Sequence, residues 1–313
     1  MNQKLIFLLI LTTAMNLCLF AIKKNKSKSE PLPVSSPISS VVIPQPVVSP
    51  PAIPPTIPRL VPKFENYAPV RGVDSSLGKV LGDIESHMPA GHIYADSDKI
   101  TWAHETTHGI NSNARMKFSR GTTYAVLENI IQEPSGRFFR VYKYYGNNQI
   151  NAFYVLENKV VVIQEPNTRI RSVAAKVPSS LRGGVYNLYL VQQAGSWDDT
   201  PLYIFDEWSA YTNGSACRLD LKIQSRSETV QYMLEFNVYS SCVAWTSGSN
   251  DPQLKAFLMW QTERAMNIYK ESTNVDGASS YLEKMRTSSD ATQWRGFCKE
   301  YFGSEWCKEV FGF

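Results

Sequence analysis

Thr101-Trp102-Ala103-His104-Glu105-Thr106-Thr107-His108-Gly109 is the stretch on which the reading of this chain turns. It holds two of the four histidines in an H-E-x-x-H arrangement. Side chains four positions apart on a helix share one face, so His104 and His108 can offer imidazole nitrogens to a single ion. Glu105 then stands beside that ion, placed to take a proton from water as a general base. A helix is expected here on local grounds. Asp96, Ser97 and Asp98 offer N-cap oxygens, and Ile100, Ala103, Thr107 and Ile110 recur at near-helical spacing as a buried face.

A catalytic zinc takes three protein ligands and leaves a fourth position for water. The H-x-x-G-x-x-H extension of one zinc-peptidase branch is missing, because Asn111 and Ala114 stand where its glycine and histidine would be. His87 and His92 lie upstream and read as surface or helix-end residues. The best third ligand is Glu207, within Phe205-Asp206-Glu207-Trp208-Ser209-Ala210-Tyr211-Thr212-Asn213-Gly214. A carboxylate inside an apolar, aromatic helix is costly to bury unless it is paired or ligates a metal. Tyr211, four residues on, shares its face and can donate to an oxyanion. Asp206 is the rival ligand, about 100° away on the same helix, so only one of the two can face the ion. Pairing of Glu207 with an Arg or Lys is the plainer alternative. Asn111 and Ser112 either brace the ligands or simply end the helix.

With these residues in view the chain resembles the gluzincin branch of the zinc metallopeptidases, which join H-E-x-x-H to a downstream helical glutamate. The resemblance implies one catalytic Zn2+ held by His104, His108 and Glu207, with Glu105 as base and proton shuttle. It also implies Tyr211 as the transition-state tyrosine, a protein or peptide substrate and a zincin-like α+β fold. It rests on two short helices, about a hundred residues apart. Two other readings stay open: a non-catalytic binding or structural module with a degenerate H-E-x-x-H helix, and a hydrolase of cell-wall peptide.

The remainder of the chain says where such a body would sit. Leu5 to Ile22 is apolar apart from Thr12, Thr13 and Asn16 and reads as an uncleaved membrane anchor or signal segment, so residues 1–30 form an N-terminal unit with a basic flank. Lys23, Lys24, Lys26 and Lys28 follow the span while only Lys4 precedes it, a bias that keeps the following chain cytosolic. Against this stand Cys217, Cys242, Cys298 and Cys307, an even set that reads either as four buried thiols or as two disulfides. Cys217–Cys242 with Cys298–Cys307 is one of three possible pairings, and disulfides fit a membrane-anchored or secreted, extracytoplasmic body. Residues 31–62 carry eleven of the eighteen prolines and read as a disordered tether reaching at most about 100 Å. From position 63 onward 26 basic residues face 27 acidic ones. That balance offers no footprint for nucleic acid.

Residues 63–313 are expected to form the zincin-like domain: helices around a small antiparallel sheet, with a largely helical C-terminal half. Helices are expected at Ser75–Met88, from Thr200 and Pro201 onward, and over Thr229–Ala244, Pro252–Lys270 and Ala291–Phe311. Strand-like runs lie at 124–127, 138–145, 153–156 and 160–164. Val126-Leu127-Glu128-Asn129 with Ile131-Gln132-Glu133-Pro134 echoes Val155-Leu156-Glu157-Asn158 with Ile163-Gln164-Glu165-Pro166, which suggests two similar turns in one sheet.

Overall fold

Apolar residues run almost continuously through the strands near residue 155, which are buried on both faces, and recur at helical spacing after residue 200. A computed structural model describes residues 59–90, 92, 94–119, 124–132, 138–145 and 150–313, with backbone only between 124 and 145. The apolar segment Leu5–Ile22 and the proline-rich stretch up to residue 58 fall outside these residues. The architecture is α+β and mostly helical. Among the described residues no helix is long and apolar enough to cross a membrane.

Strands β1 (Phe64–Asn66), β4 (Ile150–Tyr154) and β5 (Lys159–Gln164) form one antiparallel sheet in the order β1-β5-β4. Strands β2 (Tyr124–Gln132) and β3 (Phe138–Tyr145) form a second, two-stranded sheet. The expectation of two like turns in one sheet therefore fails. Leu156, Glu157 and Asn158 make the β4–β5 turn, all at positive φ. Residues 126–129 instead lie within β2, where the register shifts between Leu127 and Asn129. One sequence thus serves as a turn in one hairpin and as a bulged strand in the other.

The three-stranded sheet separates two cores, as a period of two dictates. Ala152, Tyr154 and Val160 face a small cluster with α1 (Lys79–His87) and α2 (Lys99–Phe118). Phe153, Val155, Val161 and Ile163 face a larger cluster. That cluster is built from α3 (Ile170–Lys176), α5 (Tyr203–Asp220), α6 (Glu228–Ser247), α7 (Pro252–Glu271), α8 (Asp276–Thr287), α9 (Thr292–Phe302) and α10 (Ser304–Val310). Between α3 and α5 come a π-helical segment, Asn187–Gln192, and a single helical turn, α4 (Ala194–Trp197).

Two expected helices break at glycines. Ser75–Leu77 is a 3-10 turn, and α1 begins only after Gly78, at φ 88°. A Cβ there would lie 2.8 Å from Leu221 and 2.9 Å from Asp220, and the Asp220 carboxylate accepts from the N–H of Val80 (2.9 Å). The stretch from Ala291 to Phe311 is cut at Gly303 (φ 101°) into α9 and α10. The expected disulfides are absent. All four described cysteines are free and buried, Cys217 in the small core and Cys242 in the large one, so the sheet-side packing holds those two apart. Arg59, within the stretch assigned to the tether, pairs with Glu263 of α7 and Glu309 of α10.

One buried acid fixes the approach to the π-helical segment. The Glu235 carboxylate on α6 accepts from the N–H groups of Gly184 (2.9 Å) and Val185 (3.1 Å), from Tyr239 Oη (3.0 Å) and from Gln231 Nε2 (2.8 Å). A Cβ at Gly183 would sit 2.0 Å from its carboxyl carbon. Gly183→Ala is therefore expected to lower the stability read from urea unfolding by about 1–3 kcal/mol, whereas an unchanged midpoint would show that the clamp is slack.

Candidate metal centre

Asp98 starts α2 as expected: its carboxylate accepts from the N–H of Ile100 (3.0 Å) and from Thr101 Oγ1 (2.8 Å). The helix then runs through His104, Glu105 and His108 and packs along α5. Gly214 lets the two helices approach, because a Cβ there would lie 3.3 Å from the Ile100 carbonyl and 3.7 Å from His104 Cβ. The expected Thr200 cap is not used. Helix α5 begins at Tyr203, after a turn in which the Leu202 N–H donates to Glu165 (2.6 Å).

This packing brings three expected ligands together. The Nε2 atoms of His104 and His108 lie 3.1 Å apart, and Glu207 Oε2 lies 3.5 Å from each. N and O donors at about 2.0–2.1 Å from a tetrahedral ion stand about 3.3–3.4 Å from one another, a spacing that the triangle's edges of 3.1 and 3.5 Å bracket. Its third corner is a buried orphan, for Glu207 is 5% exposed and its Oε2 has no hydrogen-bond partner. A buried carboxylate oxygen left without a donor is costly. A divalent cation is what this donor set fits, and the three residues form a group able to hold a metal ion.

The surroundings assign the remaining residues. Glu207 Oε1 accepts from Tyr203 Oη (2.7 Å), four residues earlier on α5, which leaves Oε2 to face the imidazoles. Asp206, the rival ligand, turns to the far side of His108 and accepts from its Nδ1 at 2.9 Å. The 100° offset has thus given the two acids different tasks. Burial alone would lower the His108 pKa, but the charges of Asp206 and Glu207 outweigh it and hold it well above the usual imidazole value. Burial likewise opposes ionisation of Glu207, yet the two histidines keep its carboxyl well below the usual range.

Glu105 is half-buried, and its charge acts on His92, Tyr94 and Tyr211. The Tyr211 ring meets His104 edge-on at 4.4 Å, and its hydroxyl lies 3.0 Å from Tyr189 Oη. Asn111 is buried beside Asp206, while Ser112 is exposed. His87 is the last residue of α1, one of its two expected places, but it does not lie at the surface. It is fully buried, with its ring between Tyr67 and Tyr154. Sequence reasoning missed Tyr203, whose signal was its spacing of four from Glu207, and Tyr189, which the irregular π-helical turn concealed.

Asp206 and Glu207 favour the charged form of His108, so a metal at Nε2 competes with a proton at that atom while Nδ1–H stays on Asp206. Affinity for added zinc is therefore expected to fall about tenfold per pH unit below the His108 pKa, as read by titration between pH 6 and 9. A flat profile would contradict the pairing of His108 with the two acids. Tyr203→Phe removes one donor from Glu207 and is expected to weaken zinc by about 10-fold or more, as a competition titration would show.

Compared with protein-family models, curated proteins and solved structures, the chain finds no match.

Proposed function

We propose that the chain is a zinc-dependent peptidase of gluzincin-like, zincin-type architecture, cleaving peptide bonds in a protein or peptide substrate. The observation that carries this reading is the ligand triangle of His104, His108 and Glu207, with Glu105 following His104 in the sequence of the same helix. A zinc ion held there would acidify water and polarise a carbonyl.

The chain's own residues supply the rest of the work. Glu105 takes the proton from the attacking water and passes it to the leaving amine. Tyr211, packed against His104, donates a hydrogen bond to the carbonyl oxygen as negative charge develops on it. Asp206 holds the His108 ring. Tyr203 holds Glu207.

The basic flank and proline-rich arm, with the apolar segment before them, support a body tethered at a membrane surface. The paired-cysteine argument for an extracytoplasmic body no longer applies, because the thiols are free and buried.

Glu105→Gln keeps the shape of the side chain and removes the base. Turnover of an unstructured protein substrate such as casein, or of a peptide mixture, is expected to fall about 10²–10⁴-fold, with zinc retained at one equivalent. Normal turnover in the variant, or loss of its zinc, would contradict the role assigned to Glu105.

A further inference from the structure

We propose that Asn111 is a positioning residue for the metal centre, a strut between strand β4 and Asp206 that keeps His108 presenting Nε2 to the ion. The inference rests on the metal centre proposed above and not on the reaction it performs. The hydrogen bonds of Asn111 go to Asp206, Ser209 and Tyr154, and to none of the three ligands.

Strand β4 lies at the edge of its sheet, so part of its backbone faces away from β5. At Tyr154 that free edge is completed by two asparagines. The Tyr154 N–H donates to Asn111 Oδ1 at 2.7 Å, and the Tyr154 carbonyl accepts from Asn213 Nδ2 at 3.0 Å. Asn111 comes from α2 and Asn213 from α5, so one residue of the sheet is the common reference for both ligand-bearing helices.

The first of these bonds also settles which way the Asn111 amide points. A backbone N–H can meet only the amide oxygen, so Nδ2 faces the other way. There it donates to Asp206 Oδ1 (2.5 Å) and to Ser209 Oγ (2.8 Å). Ser209 spends its own proton on the Asp206 carbonyl (2.9 Å), which leaves its oxygen free to accept. Every hydrogen in the network has one destination, and Asn111 is 2% exposed, so water does not compete.

The consequence reaches the ligand through Asp206. With Oδ1 held by Asn111, Oδ2 is left to accept from His108 Nδ1 (2.9 Å). A proton fixed on Nδ1 reserves Nε2 for the metal and sets the ring plane. Without the strut the Asp206 carboxylate is free to turn, and the His108 ring loses its reference to the sheet.

A double-mutant cycle on zinc affinity tests this, using the full chain with apo-protein circular dichroism as the check on folding. Asn111→Leu is expected to raise the zinc Kd about 10–100-fold. In an Asp206→Ala background the same change is expected to have little further effect, because the two act through one path. A Kd within twofold of wild type, or an undiminished effect in the Asp206→Ala background, would overturn the proposal. Should Asn111→Leu fail to fold, the wild-type chain loaded with cadmium-113 answers by NMR. Coupling of the metal to His108 Nε2, with a slowly exchanging Nδ1 proton, supports the strut, whereas ligation through Nδ1 overturns it. A wild-type chain that binds no zinc would instead remove the metal centre itself, a distinct result.

Discussion

One carboxylate oxygen, Glu207 Oε2, sits inside the protein without a hydrogen-bond donor and equidistant from two imidazole nitrogens. Burying an anion without a partner costs several kcal/mol or more, so its surroundings have to supply positive charge. A protonated His108 supplies it in part. A cation in the same triangle supplies it more completely, because all three donors then point at a charge and none is left orphaned. Most features near the site follow from keeping that oxygen in place. Gly214 brings α5 close to α2, Tyr203 occupies the other carboxylate oxygen, and Asp206 occupies the far side of His108.

The site lies where the two cores meet. Helix α2 belongs to the small cluster and most of α5 to the large one, with β4 contributing Ala152 and Tyr154 to the first and Phe153 to the second. The ligand helices are therefore held by packing on opposite faces of one sheet and by hydrogen bonds to its edge. Rigid elements carry all three ligands, the condition under which a site keeps its geometry to within a fraction of an ångström. The aromatic side chains beside it serve as walls. Tyr211 packs on His104 and on Phe236, and Tyr189 packs on Phe236 in turn.

Much of this was legible in the sequence where a short-range rule decides the outcome. The Asp98 cap, the spacing of His104 and His108, and the helix from Pro252 depend on neighbours within a turn, and each is found as expected. Glu207 could be named because an acid among Phe205, Trp208 and Ala210 conflicts with its surroundings. What stayed hidden depends on partners far along the chain. The division of labour between Asp206 and Glu207 is set by how α5 rotates against α2, and Asn111 is read correctly only once Tyr154 is seen against it. The repeated Val-Leu-Glu-Asn misled because tertiary context makes one copy a turn and the other a bulge. The cysteines misled because an even count does not place them: Cys217 enters the small core and the other three the large one, so the first expected pair is split between cores.

X-ray absorption at the metal edge of the purified chain tests the central claim most directly. A zinc edge with three or four N/O neighbours at about 2.0–2.1 Å, two of them showing imidazole outer-shell scattering, is the predicted result. Protein that carries no stoichiometric metal after zinc loading, or a first shell with sulfur at about 2.3 Å, would contradict a centre built from His104, His108 and Glu207.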